Sequence, residues 1–163
     1  MILFRIAKRK YVEDLSGEGA RLFGGRWNPK GTNVIYTAES RSLATVEYLV
    51  HLPMSLIPVD IYLAEIHVPD HVNCAQIDPE TLPEDWTTSP PPFSLSRKGE
   101  EWIRSHESLL LRVPSAVVRM EWNVLINPNH ESASEITIAS IAPFSFDDRL
   151  LKKSFNPMRQ PDR

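Results

Sequence analysis

The sequence predicts a single α+β domain: a mixed β-sheet flanked by short helices. Three observations carry that prediction. Segments of alternating apolar and polar residues recur from the N-terminus to residue 141, helical spacing shows in only two places, and the 163 residues amount to one domain's length. A folded domain of this size buries roughly 70% of the surface its unfolded chain exposes, so it needs neither disulfide nor metal to hold its core. With 42% hydrophobic and 24% charged residues the chain has the balance of an ordinary globular protein.

Taken in order, residues 1–6 read as a first strand that the charges from Lys8 to Lys10 interrupt. Residues 16–25 read as a loop bearing Gly17, Gly19, Gly24 and Gly25, whose spacing matches neither the dinucleotide-binding G-x-G-x-x-G pattern nor the phosphate loop. Residues 33–38 form a strand with Val34, Tyr36 and Ala38 on one face and Ile35 and Thr37 on the other. Ser40 caps a following helix, in which Leu43, Val46, Glu47 and Val50 lie at the spacing of a buried stripe, ending before Pro53. That places a carboxylate on an apolar face.

Residues 59–68 make a long strand. Residues 69–96 carry Pro69, Pro79, Pro83 and the run from Pro90 to Pro92 and read as an irregular segment, of the kind that is usually functional or a lid. Residues 94–108 contain a helix around 100–104. The remainder reads as strands at 110–118, 122–127 and 135–141, with Val113, Ser115 and Val117 sharing a face. From Arg149 to the end, Lys152, Lys153, Arg159 and Arg163 accompany a single acid, Asp162. This is the pattern of a solvated, frayed end, so the domain is assigned to residues 1–152 and a tail to 153–163.

Charge and composition exclude several classes. The net charge of −3 gives no overall positive field for a nucleic-acid partner. Cys74 is the single cysteine and the five histidines are scattered, so no zinc spacing and no internal disulfide arise. The N-terminus has the wrong order and length for a signal peptide, and no apolar run approaches the roughly 20 residues of a membrane span. A cytoplasmic protein fits.

The chemistry that remains is one guanidinium, one phenol, one carboxylate and one hydroxyl: Arg26, Tyr36, Glu47 and Ser115. Such a set suits a phosphate-bearing substrate whose reaction develops positive charge. Arg26 can grip phosphate oxygens with both arms of its fork, Tyr36 can stack or donate a hydrogen bond, and Glu47 can stabilise a cationic sugar, an effect worth about 3 kcal/mol per well-placed group. Structural readings stand beside these. Arg26 pairs with Glu47 inside the fold, Tyr36 belongs to the core, Ser115 is a satisfied core hydroxyl, and His130, close to Asn127 and Pro128, caps a turn.

Five stretches, Gly24-Gly25-Arg26-Trp27-Asn28, the segment Val34 to Ser40, Glu47, the segment Val113 to Val118, and Asn127-Pro128-Asn129-His130, together resemble the RES-domain family, named for an arginine, a glutamate and a serine. The resemblance spans nearly the whole chain. It implies an ADP-ribosyltransferase-like fold with a split sheet, and the activity of a bacterial toxin that cleaves the nicotinamide–ribose bond of NAD, by hydrolysis or by phosphorolysis. Some family members instead transfer ADP-ribose to a protein. The resemblance further implies an antitoxin partner with an Xre-type helix-turn-helix domain that covers the active site, self-association into a homo-oligomer, no bound cofactor or metal, and NAD as substrate with inorganic phosphate as the alternative co-substrate to water. By matching motifs it assigns Arg26, Glu47 and Ser115 to catalysis, and Arg26, Tyr36, Asn127 and His130 to substrate binding.

Overall fold

A computed structural model describes residues 1–52 and 59–151 of the chain. Seven strands form one sheet in the order β4-β5-β6-β2-β1-β3-β7, where β1 is Ile2–Lys8, β2 Ile35–Ala38, β3 Ile61–His67, β4 Cys74–Gln76, β5 Leu110–Pro114, β6 Trp122–Ile126 and β7 Thr137–Pro143. Four helices accompany it: α1 (Glu18–Phe23), α2 (Arg41–Val50), α3 (Phe93–Ser105) and α4 (Asp148–Leu151). Neighbouring strands are antiparallel except β4 and β5, which are parallel. The architecture is α+β with a mixed sheet, and none of the described helices is long and apolar enough to cross a membrane.

The sheet is nearly divided. β1 pairs with β3 along its whole length, from Ile2 opposite His67 to Lys8 opposite Ile61, but meets β2 only where Phe4 faces Ala38. One half is therefore β4-β5-β6-β2 and the other β1-β3-β7, joined at a single residue pair. Beyond that pair the strands part. A cavity of about 190 Å³ lies at the gap, lined by Arg5 and Ile6 of β1, Ile35 and Tyr36 of β2, and Gly17 and Gly19 at the start of α1, among others.

Strand alternation sorts the core. Tyr36, Ala38, Leu111, Val113, Asn123 and Leu125 share one face through the β2–β6 and β5–β6 registers. On that face α3 packs Leu95, Trp102 and Ile103 against Leu111, Val113 and Leu125, while α2 packs Leu43 and Ala44 against Phe4, Ile6 and Ala38. The opposite face buries Leu3, Ile35, Ala64, Ile66, Leu110, Val124 and Ile126 beneath Val12, Val68, Leu109 and Ile136 from loops. Two apolar clusters thus meet on the helical face, and Asn123, paired with Ala38 of one and Val113 of the other, stands at their seam.

Several elements differ from the sequence-based expectation. β1 does not stop at the charges but runs through Lys8, because β3 supplies a partner for every residue. Residues 16–25 contain a short helix, α1, whose entry is held by the Ser16 hydroxyl accepting from the Glu18 N–H and whose end is set by Gly24 at φ +72°. The irregular stretch after β3 hides β4, too short to alternate, which docks beside β5 through Leu110 N–H to Asn73 and Ile77 N–H to Arg112 carbonyls. Ser40 caps α2 as expected, accepting from the Leu43 N–H at 3.0 Å, but Val50 leaves the stripe and is 55% exposed. β5 ends at Pro114, so Ser115 opens a turn rather than continuing a strand face. The expected helix stop at Pro53 and the tail at 153–163 lie outside the described residues.

Candidate functional site

The turn from Gly24 to Asn28 is built around an asparagine and a phenol. Asn28 is 1% exposed. Its amide donates to the carbonyls of Ala20, Pro29 and Thr32, and its Oδ1 accepts the Tyr36 hydroxyl at 2.8 Å. The same hydroxyl accepts from the Trp27 N–H at 3.0 Å. A Cβ on Gly25 would lie 2.6 Å from the Tyr36 hydroxyl, so only glycine lets the phenol reach the turn. On the other side α3 presses so close that a Cβ on Gly99 would lie 1.8 Å from the Trp27 carbonyl oxygen. Burial pushes the Tyr36 phenol well above its ordinary range, which keeps it a neutral donor.

With its neighbours held in this way, Arg26 reaches across to the segment before α3. Its guanidinium donates to the Trp86 carbonyl and, at 3.1 Å, to the Thr88 carbonyl. Burial lowers its pKa, while Glu47 and then Tyr36 act in the opposite sense. Glu47 is therefore near enough to be felt. It is not an ion-pair partner, since none of the ion pairs among the described residues joins the two. The paired arrangement weighed from sequence is replaced by an arginine held by backbone carbonyls and a carboxylate held by something else.

Glu47 is half-buried on α2. Its Oε1 accepts the Ser115 hydroxyl at 2.7 Å and the Asn123 amide at 2.5 Å. Ser115 is 1% exposed, and its Oγ accepts from the N–H groups of Val117 and Val118 at 3.1 and 2.9 Å. The structure therefore brings Arg26, Tyr36, Glu47 and Ser115 together on the helical face of the sheet, around the seam marked by Asn123.

Asn127 and His130 are placed elsewhere. Asn127 is fully buried, donates to the Ile103 carbonyl and accepts from the Asn129 N–H. His130 caps the 3-10 helix Glu131–Glu135, its Nδ1 accepting from the Ser132 N–H at 3.1 Å. Both follow β6, whereas Asn123 is near its start, so at about 3.3 Å per residue Asn127 lies roughly 13 Å along the strand from the carboxylate clamp. They support the fold at positions distant from Glu47.

Three residues at or beside the site were not singled out from sequence. Asn123 carried a signal, a polar side chain alternating with Leu125 on an inward face, but its partner becomes visible only through strand register. Asn28 lay inside the glycine turn without a role. Arg5, flanked by Phe4 and Ile6, donates to the carbonyls of Asp14 at 2.5 Å and Tyr11 at 3.3 Å and lines the cavity at the sheet gap, with burial lowering its pKa. That cavity reaches Tyr36, and Glu47, Ser115 and Asn123 are not among its lining residues. Among the described residues no cluster of His, Cys, Asp or Glu is placed to hold a metal ion.

The RES-domain profile matches residues 2–147. A "Prs ADP-ribosylating toxin" of Sphingobium sp. (strain YBL2) is 39% identical over 150 residues, covering 91% of this chain and 93% of the relative. A "Toxin Res" of Yersinia enterocolitica is 40% identical over 153 residues, covering 92% and 99%. Among solved structures, a chain of the M. tuberculosis MbcT-MbcA toxin-antitoxin complex shares the fold with a TM-score of 0.70 at 20% identity, over 88% of this chain and 84% of that one. The chain belongs to the RES-domain family.

Proposed function

We propose that this protein is the toxin of a toxin–antitoxin pair and that it cleaves the nicotinamide–ribose bond of NAD. The observation that carries the reading is Glu47, a half-buried carboxylate gripped through one oxygen by Ser115 and Asn123, close enough to the Arg26 guanidinium to act on it and yet unpaired with it. A carboxylate so held suits a reaction that develops positive charge. Nicotinamide leaves a ribosyl-pyridinium as a neutral base, so no acid is required to protonate it, and the barrier lies in an oxocarbenium-like sugar that a fixed carboxylate stabilises.

Arg26 is the group to engage the pyrophosphate or an attacking phosphate. The carbonyls of Trp86 and Thr88 now occupy its fork, and an anionic oxygen makes a stronger partner for a guanidinium than a neutral carbonyl. Tyr36 contributes less by touching substrate than by holding the arginine-bearing turn.

Transfer of ADP-ribose to a protein is the second reading, favoured by the relative from Sphingobium whose name describes an ADP-ribosylating toxin. The same carboxylate and the same cation serve either acceptor. An antitoxin partner is supported by the fold shared with a chain of the MbcT-MbcA complex.

Incubating the purified protein with NAD, with and without inorganic phosphate, and following nicotinamide release tests the proposal. Phosphate-dependent release with ADP-ribose 1″-phosphate as product indicates phosphorolysis, and release without phosphate indicates hydrolysis. Release that requires an added protein acceptor, which becomes labelled, favours transfer. No release under any of these conditions would leave a catalytically silent binding module and sink the reading.

A further inference from the structure

We propose that Asn123 is a positioning residue for Glu47: with Ser115 it locks one carboxylate oxygen, so that the other is presented to the reacting sugar and Glu47 is kept from collapsing onto Arg26. The inference deepens the NAD-cleavage reading, and its kinetic half rests on that reading.

Donor counting fixes the direction of each bond. A carboxylate only accepts, so the Asn123 group facing it is the amide N–H₂. Ser115 has one proton. The N–H groups of Val117 and Val118 occupy its Oγ as acceptor, so the proton points at Glu47. Both donors then fall on Oε1, at 2.7 and 2.5 Å. No hydrogen bond reaches Oε2 from the described residues. Among those residues the carboxylate has one bound edge and one edge without a donor.

The clamp is rigid at its base. Asn123 is pinned between Ala38 and Val113 by strand pairing on both sides, and Ser115 by its own backbone pairing to Glu121 at 2.9 Å. Glu47 comes from a helix and would be free to swing about its side-chain torsions without these two donors. The opposite charge it would swing toward is Arg26, whose own fork is held back by Trp86 and Thr88. Two charges of opposite sign are thus kept near each other and apart. This is the preorganised state from which each can meet its own part of a substrate. In this arrangement Ser115 donates and does not attack.

Two substitutions test the role. Asn123→Ala removes the donor with the side chain, and Asn123→Asp keeps the shape but sets a second carboxylate against the first. Nicotinamide release should show kcat falling about 10- to 100-fold in Asn123→Ala, the cost of a misplaced reacting group, with KM for NAD within about twofold. Asn123→Asp should fall further than Asn123→Ala despite being isosteric. A packing role would reverse that order, and an Asn123→Asp protein as active as wild type, or a change confined to KM, would overturn the proposal.

A thermal double-mutant cycle of Asn123→Ala with Glu47→Ala gives a readout that needs no activity. The clamp predicts that the two shifts in Tm are not additive; additive shifts would overturn it. Wild-type protein that releases no nicotinamide would count against NAD cleavage alone, and the cycle would still decide whether the clamp exists.

Discussion

Asn123 and Asn127 stand at the two ends of β6 and carry the same amide into different surroundings. Asn123 gives its amide to Glu47 at 2.5 Å, in a half-buried seam between two apolar clusters. Asn127 is fully buried and gives its amide to the Ile103 carbonyl at 3.1 Å, tying α3 to the strand end. The first partner is a half-buried carboxylate; the second is a buried backbone carbonyl. Position along the strand, not residue type, gives one amide a carboxylate partner and the other a backbone carbonyl.

That contrast can be pressed experimentally, beginning at the site end. Arg26→Ala should lower nicotinamide release by about 100-fold, the scale of one well-placed charged group. It should also free the Trp86 to Thr88 backbone, seen as faster cleavage between residues 84 and 92 in limited proteolysis. Arg26→Lys keeps the charge but lacks the planar fork that spans two carbonyls, so it should recover little of either property. If Arg26→Ala loosened the segment and left turnover intact, the arginine would belong with Asn127 among the scaffold residues.

At the scaffold end the expected loss is one of stability. Asn127→Ala strands the buried Ile103 carbonyl and removes the acceptor of the Asn129 N–H. A buried unpartnered group costs about 1–3 kcal/mol, which for a chain of this length lowers Tm by about 3–10 °C. Calorimetry should show that loss, while kcat measured below the transition stays within about twofold of wild type. Activity falling out of proportion to stability would move Asn127 into the site.

Tyr36 lies between these extremes and should show the smallest effect. Tyr36→Phe removes the hydroxyl shared by Trp27 and Asn28 and should cost about 1 kcal/mol. The pH dependence has a definite sign. The folded pKa of Tyr36 is raised by burial, so its contribution to stability is whole below the unfolded value near pH 10 and declines as pH rises beyond it. Denaturation midpoints should therefore fall above about pH 10 in wild type, and less steeply in Tyr36→Phe.

Much of this molecule is legible in the chain. The split of Val34, Tyr36 and Ala38 from Ile35 and Thr37 follows from strand alternation alone, and Ser40 is readable as a cap because its hydroxyl precedes an apolar helical stripe. Glu47 stands out as a carboxylate on that stripe. Local pattern fails where partners come from afar. β4 exists because β5 offers it an edge, and α1 is one short turn hidden among glycines. Ser115 reads as a strand residue until Pro114 ends the ladder and turns its hydroxyl toward α2. Asn123 meets Glu47 only because β2 and β6 pair with Ala38 opposite Asn123, a fact of register that no window of sequence contains. Motif resemblance groups Asn127 and His130 with Arg26 and Glu47, whereas both follow the end of β6 that is far from Asn123 and the Glu47 clamp.

The proposed cleavage of NAD depends most directly on the charge of Glu47. Glu47→Gln keeps the length and planarity of the side chain and removes the negative charge, so nicotinamide release should fall by at least about 100-fold, while NAD binding, followed by calorimetric titration, stays within a few-fold of wild type. Release near the wild-type rate from a folded Glu47→Gln protein would contradict the claim that a clamped carboxylate stabilises the cationic sugar.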